Sequence, residues 1–260
     1  MLQVGYAVWD DLVDRVEREE AAANRRQETA QKRDFYDEQI WSFLVGCAYA
    51  LAPSGPTQLA AQLIESRAVS PCTAIWFEVQ PCSPRSREGN TRVDLALGGI
   101  RRRPGTESGI EYDPALASWV ALCECKWYSD IDTKVSYDKH RNQLLRVIEN
   151  AVFFQSGGTR PERAHVVIVT PASFKKRKVK SRLYQYKFEE YKSDQNRIVE
   201  ELEACCLETS KSYPDLRRAL SNLELHWVTY QDLLRSAPES AIRSHLDKFV
   251  AKSDGSDGHR

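Results

Sequence analysis

The chain has 260 residues, of which 42% are apolar and 28% charged, and this composition is typical of a globular protein rather than a disordered or fibrous one. Lysine and arginine together number 37, as do aspartate and glutamate, so the formal net charge is zero. Any attraction to a polyanion must therefore come from local patches of charge. The longest weakly polar run, residues 41–53, is shorter than the roughly 18–20 apolar residues of a membrane span, so we expect no membrane contact.

Seven cysteines form an odd-numbered set, and the N-terminus lacks the basic and apolar segments of a signal peptide. We therefore expect reduced thiols and a cytoplasmic location. The alternative is a zinc site on Cys72, Cys82, Cys123 and Cys125, but their spacings do not match the paired CxxC knuckles of structural zinc sites. Buried free thiols are the favoured interpretation.

The N-terminal third of the chain is predicted to be helical. Residues 10–40 are rich in Glu, Arg, Gln and Ala and contain no Gly or Pro. We assign residues 1–33 to a helical extension, after which apolar residues recur at helical spacing from Phe35 onward and predict a helix that lies on a core. Thr57 is predicted to cap a further short helix over residues 58–65.

The remainder of the chain alternates between predicted strands and helices. β-Branched and aromatic residues predict strands over residues 73–79, 91–97, 118–127, 165–170 and 223–228. Helical periodicity predicts helices over residues 136–154, in a long stretch ending near residue 207, and over residues 231–235. Strands joined by helices indicate an α/β domain with a mixed sheet, which we assign to residues 34–250. Residues 251–260 are rich in Gly, Ser and Asp and are expected to be a disordered tail.

Charged residues inside two predicted strands indicate a site. Glu124 and Lys126 end the apolar strand 118–127, and the alternation of a strand directs both side chains to one face and Cys125 to the other. Asp94 lies within the preceding apolar strand. A buried charge is costly unless it is paired or bound to a metal, so we expect these three side chains to converge if the two strands are neighbours.

The residue types at this site indicate a reaction. Two carboxylates and the adjacent backbone carbonyl of Cys125 form a hard oxygen site suited to Mg²⁺ or Mn²⁺. Lys126 beside them can orient or help to deprotonate a metal-bound water, or stabilise the charge that develops at phosphorus, which suits phosphodiester hydrolysis. An ordinary ion pair is the alternative. The triplets Asp132-Thr133-Lys134 and Glu190-Tyr191-Lys192 have the same spacing in polar surroundings, where a solvated surface is the better interpretation.

Arg92-Val93-Asp94 and Glu124-Cys125-Lys126 together resemble the signature of the PD-(D/E)XK, or restriction-endonuclease-like, nuclease superfamily. The resemblance spans about residues 34–235 and implies an αβββαβ core, a mixed central sheet flanked by helices, with extra N-terminal and C-terminal helices. Val93 stands where the family pattern has proline, and a polar insert over residues 101–113 lengthens the gap between the two halves. The implied activity is that of a Mg²⁺-dependent or Mn²⁺-dependent nuclease in which Asp94, Glu124 and the Cys125 carbonyl bind the metal.

The resemblance implies two further catalytic residues. Many members carry a glutamate on the first core helix that faces the metals, and Glu38 matches by position. Some members place a glutamine in the helix after the lysine strand, where it contacts a metal-bound water or a phosphate, and Gln143 matches. A solvated helix position is the alternative for both residues.

Two basic clusters are candidate nucleic-acid contacts. Residues 174–187 hold seven basic residues, no acidic residue, and two tyrosines suited to base stacking. The candidates are Lys175, Lys176, Arg177, Lys178, Lys180 and Arg182, and, on a predicted loop, Arg101, Arg102 and Arg103. A solvated surface or a flexible loop is the alternative for each cluster.

We therefore predict a cytoplasmic, metal-dependent nuclease that acts on nucleic acid, with DNA favoured over RNA, and whose long N-terminal helix is suited to a homodimer. A second reading is a catalytically inactive nucleic-acid-binding or interaction module on the same fold. A third is an α/β enzyme acting on a small phosphorylated substrate, which a narrow closed pocket would favour. The strand histidines His165 and His226 are interpreted as structural groups, since no pattern around them indicates nucleophilic catalysis.

Overall fold

The computed structural model describes residues 2–4, 38–66, 69–82, 91–127, 129–132, 141–176, 182–206 and 215–238. The expected tail over residues 251–260 lies outside these ranges. So does the expected helical extension over residues 1–33, apart from residues 2–4, which form a strand rather than a helix.

The described strands are β1 (Leu2–Val4), β2 (Ile75–Pro81), β3 (Val93–Gly98), β4 (Ile100–Arg102), β5 (Gly109–Tyr112), β6 (Trp119–Cys125), β7 (Arg163–Thr170) and β8 (Leu223–Thr229). The described helices are α1 (Glu38–Ala50), α2 (Gly55–Leu63), α3 (Gln143–Val152), α4 (Ala172–Lys176), α5 (Leu183–Ser193), α6 (Asn196–Cys206), α7 (Leu216–Leu220) and α8 (Tyr230–Ser236). The five strands predicted from the sequence are confirmed, with their ends shifted by up to two residues.

The strands form one mixed sheet in the order β4-β5-β2-β3-β6-β7-β8, and β1 pairs with β2 on the edge that β2 also presents to β5. Strand β3 is antiparallel to both of its neighbours, β2 and β6, whereas β6, β7 and β8 run parallel to one another. Parallel strands covered on both faces are apolar nearly throughout, as β7 is. The predicted α/β class with a mixed sheet flanked by helices is therefore confirmed.

Helices cover both faces of the sheet, and the alternation of each strand divides the core into two layers. Apolar residues of α1, α2 and α8 pack on one face, which includes Leu95, Cys123 and Val167. Apolar residues of α3, α5, α6 and α7 pack on the other face, which includes Ala96 and Leu122. A charged side chain on either face therefore lies under a helix unless it sits at the end of a strand.

Two local predictions are wrong. Helix α2 begins at Gly55, and the Thr57 hydroxyl does not cap it but donates to the Cys72 carbonyl at 3.2 Å and accepts from the Cys72 amide at 3.0 Å. The polar insert over residues 101–113 is not a loop, because β4 and β5 pair within it as a short antiparallel hairpin at the edge of the sheet. The Gly and Pro residues of this insert mark its turn and conceal two strands of only three and four residues.

The described helices include none that is both long enough and apolar enough to cross a membrane.

Candidate active site

Two carboxylates lie side by side on the face of the sheet covered by α3. The antiparallel register pairs Leu95 with Cys123, and one further step along both strands places Asp94 opposite Glu124. Directly opposed residues of antiparallel strands project from the same face. The Cys125 amide also donates to Asp94 Oδ2 at 2.6 Å. The structure therefore brings Asp94 and Glu124 together at the carboxyl end of β6.

Lys126 and Glu38 join this pair from β6 and from the start of α1. Lys126 Nζ lies 2.9 Å from Glu124 Oε1 and 3.1 Å from Glu38 Oε1. The second oxygen of Glu38 accepts from the Trp127 amide at 3.1 Å and from the Ser129 hydroxyl at 2.5 Å. Glu38, which the sequence indicated only through a family resemblance, thus fastens α1 to the segment that follows β6.

Aromatic packing behind the site fixes the position of α1. The Trp41 ring stacks on the Trp127 ring with centroids 3.9 Å apart, and Tyr230 packs edge-on against Trp127 at 5.2 Å. The Ser42 hydroxyl donates to the Glu38 carbonyl at 2.9 Å. Because Trp41 lies about one helical turn after Glu38, burial of its ring directs the Glu38 side chain toward Lys126.

Gln143 reaches the site from the first turn of α3. Asn142 caps this helix by accepting from the Leu145 amide at 2.9 Å, and the contact of Gln143 with Glu124 places this end of the helix beside the site. The Gln143 amide donates to Glu124 Oε1, and its oxygen accepts from the Asp132 amide at 3.2 Å. Gln143 therefore orients the Glu124 carboxylate.

Two charged residues near this site were missed in the sequence. Glu78 in β2 lies opposite Asp94, since Phe77 pairs with Leu95 and Val79 with Val93. Its φ of 51° falls in the left-handed region, a strained conformation for a non-glycine residue that is concentrated at functional sites. Arg146 follows Gln143 by one turn of α3 and acts electrostatically on Glu124. Glu78 met the criterion that singled out Asp94, a charge in an apolar strand, whereas Arg146 carried no such signal.

Burial and mutual repulsion perturb the acidic groups. Burial raises the pKa of Asp94 well above its ordinary value, and the neighbouring charges of Glu124 and Glu78 raise it further. Burial also raises the pKa of Glu124, although Lys126 and Arg146 partly offset that effect. Burial alone would lower the pKa of Lys126, but Glu124, Glu38 and Asp94 raise it above its ordinary value. Lys126 is therefore a persistent cation among carboxylates that are costly to ionise together.

Two carboxylates and a backbone carbonyl are the candidate ligands for a hard divalent cation. Glu78 acts electrostatically on Asp94 and Glu38 on Glu124, against the two cations Lys126 and Arg146 that act on Glu124. Carboxylate oxygens are the ligands that Mg²⁺ and Mn²⁺ prefer, and such an ion would relieve the repulsion that raises the pKa of Asp94. The residues best placed to hold it are Asp94 and Glu124, together with the backbone carbonyl of Cys125 that lies next in the strand.

The two basic clusters differ in their distance from this site. Arg182 Nη1 donates to the Ser129 carbonyl at 3.0 Å, and the Ser129 hydroxyl donates to Glu38. Arg182, which belongs to the basic run 174–187, therefore lies close to the carboxylates. Asp130 accepts from the Leu183 and Tyr184 amides at 2.7 and 3.1 Å, which anchors α5 there as well. Lys175 is exposed and its Nζ donates to the Trp227 carbonyl, Lys176 ends α4, and Arg177, Lys178 and Lys180 lie outside the described residues.

Arg101, Arg102 and Arg103 are not brought to the carboxylates. Arg101 and Arg102 lie in β4, three strands away from β3 in the sheet, and not on the loop predicted for them, with Arg103 directly after the strand. Arg101 pairs with Glu111 at 2.8 Å, and Arg102 donates to the Glu107 carbonyl. The Arg102 guanidinium also lies over the Trp76 ring of β2 at 5.9 Å, so Arg101 and Arg102 are engaged by the strands at this edge of the sheet.

The described cysteines are free thiols, as expected. Cys47, Cys72, Cys123, Cys125 and Cys205 are buried and Cys82 is partly exposed. Within the described ranges, the residues placed to share a metal ion through His, Cys, Asp or Glu atoms include no cysteine, so the alternative zinc site on Cys72, Cys82, Cys123 and Cys125 is not formed there.

Comparisons of the chain with protein-family models, with curated proteins and with solved structures find no match.

Proposed function

We propose that this protein is a Mg²⁺-dependent or Mn²⁺-dependent nuclease that hydrolyses phosphodiester bonds, with DNA favoured over RNA. One observation carries the proposal: Asp94, Glu124, Lys126 and Glu38, drawn from two strands and a helix, converge at the carboxyl end of β6. Three carboxylates gathered round one lysine in a place this buried are costly to ionise together, and groups perturbed in this way are concentrated at functional sites.

The order and pairing of the central elements support the resemblance to the PD-(D/E)XK superfamily. Helix α1, strands β2, β3 and β6, helix α3 and strand β7 follow one another in the order αβββαβ when helix α2 and the edge hairpin of β4 and β5 are set aside. Strands β2, β3 and β6 are antiparallel and β7 is parallel to β6. We propose that these elements form the restriction-endonuclease-like core and that the hairpin is an insertion into it.

In this proposal each side chain has a separate task. A divalent ion held by Asp94, Glu124 and the Cys125 carbonyl would polarise the phosphodiester and lower the pKa of the attacking water. Lys126 is protonated, since its pKa is raised, and it stabilises the negative charge that develops on the phosphoryl oxygens. Glu38 holds Lys126 at 3.1 Å, and Gln143 holds the Glu124 carboxylate.

The surroundings of the site support a nucleic-acid substrate. Arg182 lies beside Ser129, which itself bonds Glu38, and an arginine so close to the carboxylates is placed to contact a phosphate of the substrate. The Arg182 guanidinium also packs over the Phe174 ring at 4.0 Å, so these two residues of the basic run lie together. We therefore assign this run, rather than Arg101–Arg103, to the path of the substrate.

A cleavage assay with a matched pair of variants tests the proposal. Plasmid and linear DNA, and single-stranded RNA, are incubated with the full chain and Mg²⁺ or Mn²⁺, with EDTA as the blank. We expect Glu124→Gln to lower the cleavage rate about 10³-fold while nucleic-acid binding is retained, because the variant removes a metal ligand but keeps the side-chain volume. Glu190→Gln, the same change in the helical Glu-x-Lys triplet of α5, should cleave within twofold of the wild type.

Two results would contradict the proposal. Binding of DNA without cleavage by the wild type, with either metal, would favour the inactive binding module. Equal cleavage by the wild type and by Glu124→Gln would place the chemistry elsewhere in the molecule.

A further inference from the structure

A second group of metal-ligating side chains lies on β7 and β8. His165 pairs with Glu224 and Val167 with His226 in the parallel register, so the three polar side chains share one face of the sheet. His165 is 3% exposed and His226 is 8% exposed, whereas the Glu224 side chain is 47% exposed. Two buried imidazoles and one accessible carboxylate thus meet near the start of the two strands.

The donor atoms have the spacing of a coordination sphere. His165 Nδ1 lies 3.1 Å from His226 Nε2, and each of these nitrogens lies 3.8 Å from Glu224 Oε2. A triangle with these sides has a centre about 2.1 Å from every corner. Bonds of zinc to histidine nitrogen and carboxylate oxygen are about 2.0–2.2 Å long, so an ion fits without rearrangement of the strands.

The surroundings of the ligands suit a metal. The buried imidazoles of His165 and His226 face each other through ring nitrogens 3.1 Å apart. Neighbouring groups already orient two of the three ligands, as they do around bound metals. Arg163 Nη1 donates to Glu224 Oε1 at 3.2 Å and leaves Oε2 toward the histidines, while Glu65 Oε2 lies 4.0 Å from the other nitrogen of His226.

This group is separate from the candidate active site. His165 alternates with Val167 and Val169, which pack beneath α1, α2 and α8, whereas Glu124 alternates with Leu122 on the face covered by α3. Glu124 pairs with Ile168, three residues further along β7 than His165. The two sites thus lie on opposite faces of the sheet, about 10 Å apart along the strand direction.

We propose that His165, Glu224 and His226 bind one divalent transition-metal ion, with Zn²⁺ as the preferred ion, and that this ion ties β7 to β8. Two nitrogen ligands and one oxygen ligand favour Zn²⁺ over Mg²⁺, which prefers oxygen alone. Three protein ligands leave a fourth position open, and the exposure of Glu224 provides a path for entry. The inference does not depend on nuclease activity, because none of its residues belongs to the other site.

Titration of the metal-free full chain with Zn²⁺ and Co²⁺ tests the inference. The measurements are made on the Glu124→Gln variant, so that the acidic site contributes little. We expect one tightly bound equivalent of Zn²⁺ and a rise of several degrees in Tm. Affinity should fall about 100-fold in His165→Gln or His226→Gln and about tenfold in Glu224→Gln. The matched control is the double variant His245→Gln/His259→Gln, which removes two other histidines and should bind as the parent does.

Several outcomes would overturn the inference. They are an absence of stoichiometric Zn²⁺ binding, unchanged affinity in His226→Gln, or a thiolate charge-transfer band with Co²⁺, which would place the ion on cysteine. Any of them would leave His165 and His226 as a neutral hydrogen-bonded pair. The Glu224 side chain is 47% exposed, so we expect Glu224→Gln to fold, and this variant and the Co²⁺ spectrum decide if a histidine variant fails to fold.

Discussion

The Glu-x-Lys spacing occurs once at the end of a strand, in Glu124 and Lys126, and once in a helix, in Glu190 and Lys192. Only in the strand triplet do the glutamate and the lysine of the same triplet form a close ion pair. At the end of β6, Glu124 and the directly following Lys126 approach each other, and their charged atoms lie 2.9 Å apart at side-chain exposures of 2% and 7%. In α5, residues two apart point in different directions. Glu190 therefore pairs with Lys187 at 2.8 Å, and Lys192 packs over the Phe188 ring at 5.4 Å.

The difference shows that secondary structure decides whether two charged residues of a short motif can meet, because side chains two residues apart share a face in a strand but not in a helix. A strand brings alternate residues together and can bury them beside a carboxylate of the next strand, as Asp94 is buried beside Glu124. A helix disperses the same residues over its surface, where solvent screens their charges. The helical triplet is consequently a control that the molecule itself supplies for each variant of the strand triplet.

The largest expected difference between the triplets is in stability. Lys126→Met should lower the free energy of unfolding by about 3–5 kcal/mol, because it leaves the buried Glu124 and the partly buried Glu38 without their cation. Lys192→Met should change that free energy by less than about 0.5 kcal/mol, since Lys192 is exposed. Urea denaturation of the metal-free proteins measures both values. Equal effects of the two variants would mean that the β6 pair is an ordinary surface contact.

A smaller effect is expected from the residue that orients Glu124. Gln143→Ala should lower the rate of DNA cleavage about 10-fold to 100-fold, because a partner that positions a metal ligand contributes about that much. Gln185, on α5, bonds Glu189 at 3.2 Å in a similar way but on the surface. Gln185→Ala should therefore leave cleavage unchanged in the same assay, and an equal loss in both variants would rule out the positioning role.

The smallest expected effect is an increase in the free energy of unfolding when the Asp94 carboxylate is replaced by an amide. The raised pKa of Asp94 means that its ionised form destabilises the folded state, so stability is lost as pH rises from the ordinary value of 3.8 through the raised value. Asp94→Asn should therefore stabilise the protein by about 1 kcal/mol at pH 8 in EDTA. Thermal denaturation between pH 4 and 8 should show this advantage shrinking as pH falls. An advantage that does not vary with pH would exclude carboxylate repulsion as its cause.

Part of the candidate site could be predicted from the sequence because its signal is local. Asp94, Glu124 and Lys126 interrupt apolar strands, and the alternation of a strand assigns each of them a face without knowledge of its neighbours. Glu78 carries the same signal in β2 and could have been found by applying the criterion to every strand. The strand boundaries were predictable for the same reason.

The other residues depend on tertiary contacts that no local pattern contains. Glu38 and Gln143 followed only from a family resemblance, because a polar residue on a helix looks the same whether it meets solvent or a buried lysine. His165 and Glu224 lie 59 positions apart in the chain and meet only through the register of β7 with β8. The arginines of β4 were assigned to a loop, because their strand is too short to show a period.

Binding of Mn²⁺, followed by the loss of the free-ion electron paramagnetic resonance signal, tests most directly whether the convergent carboxylates hold a divalent ion. We expect the wild type and Glu190→Gln to bind Mn²⁺ with the same affinity, and Asp94→Asn and Glu124→Gln each to weaken binding by at least about tenfold. The His226→Gln variant should bind Mn²⁺ at these carboxylates as the wild type does. Equal Mn²⁺ affinity in the wild type, Asp94→Asn and Glu124→Gln would contradict the account.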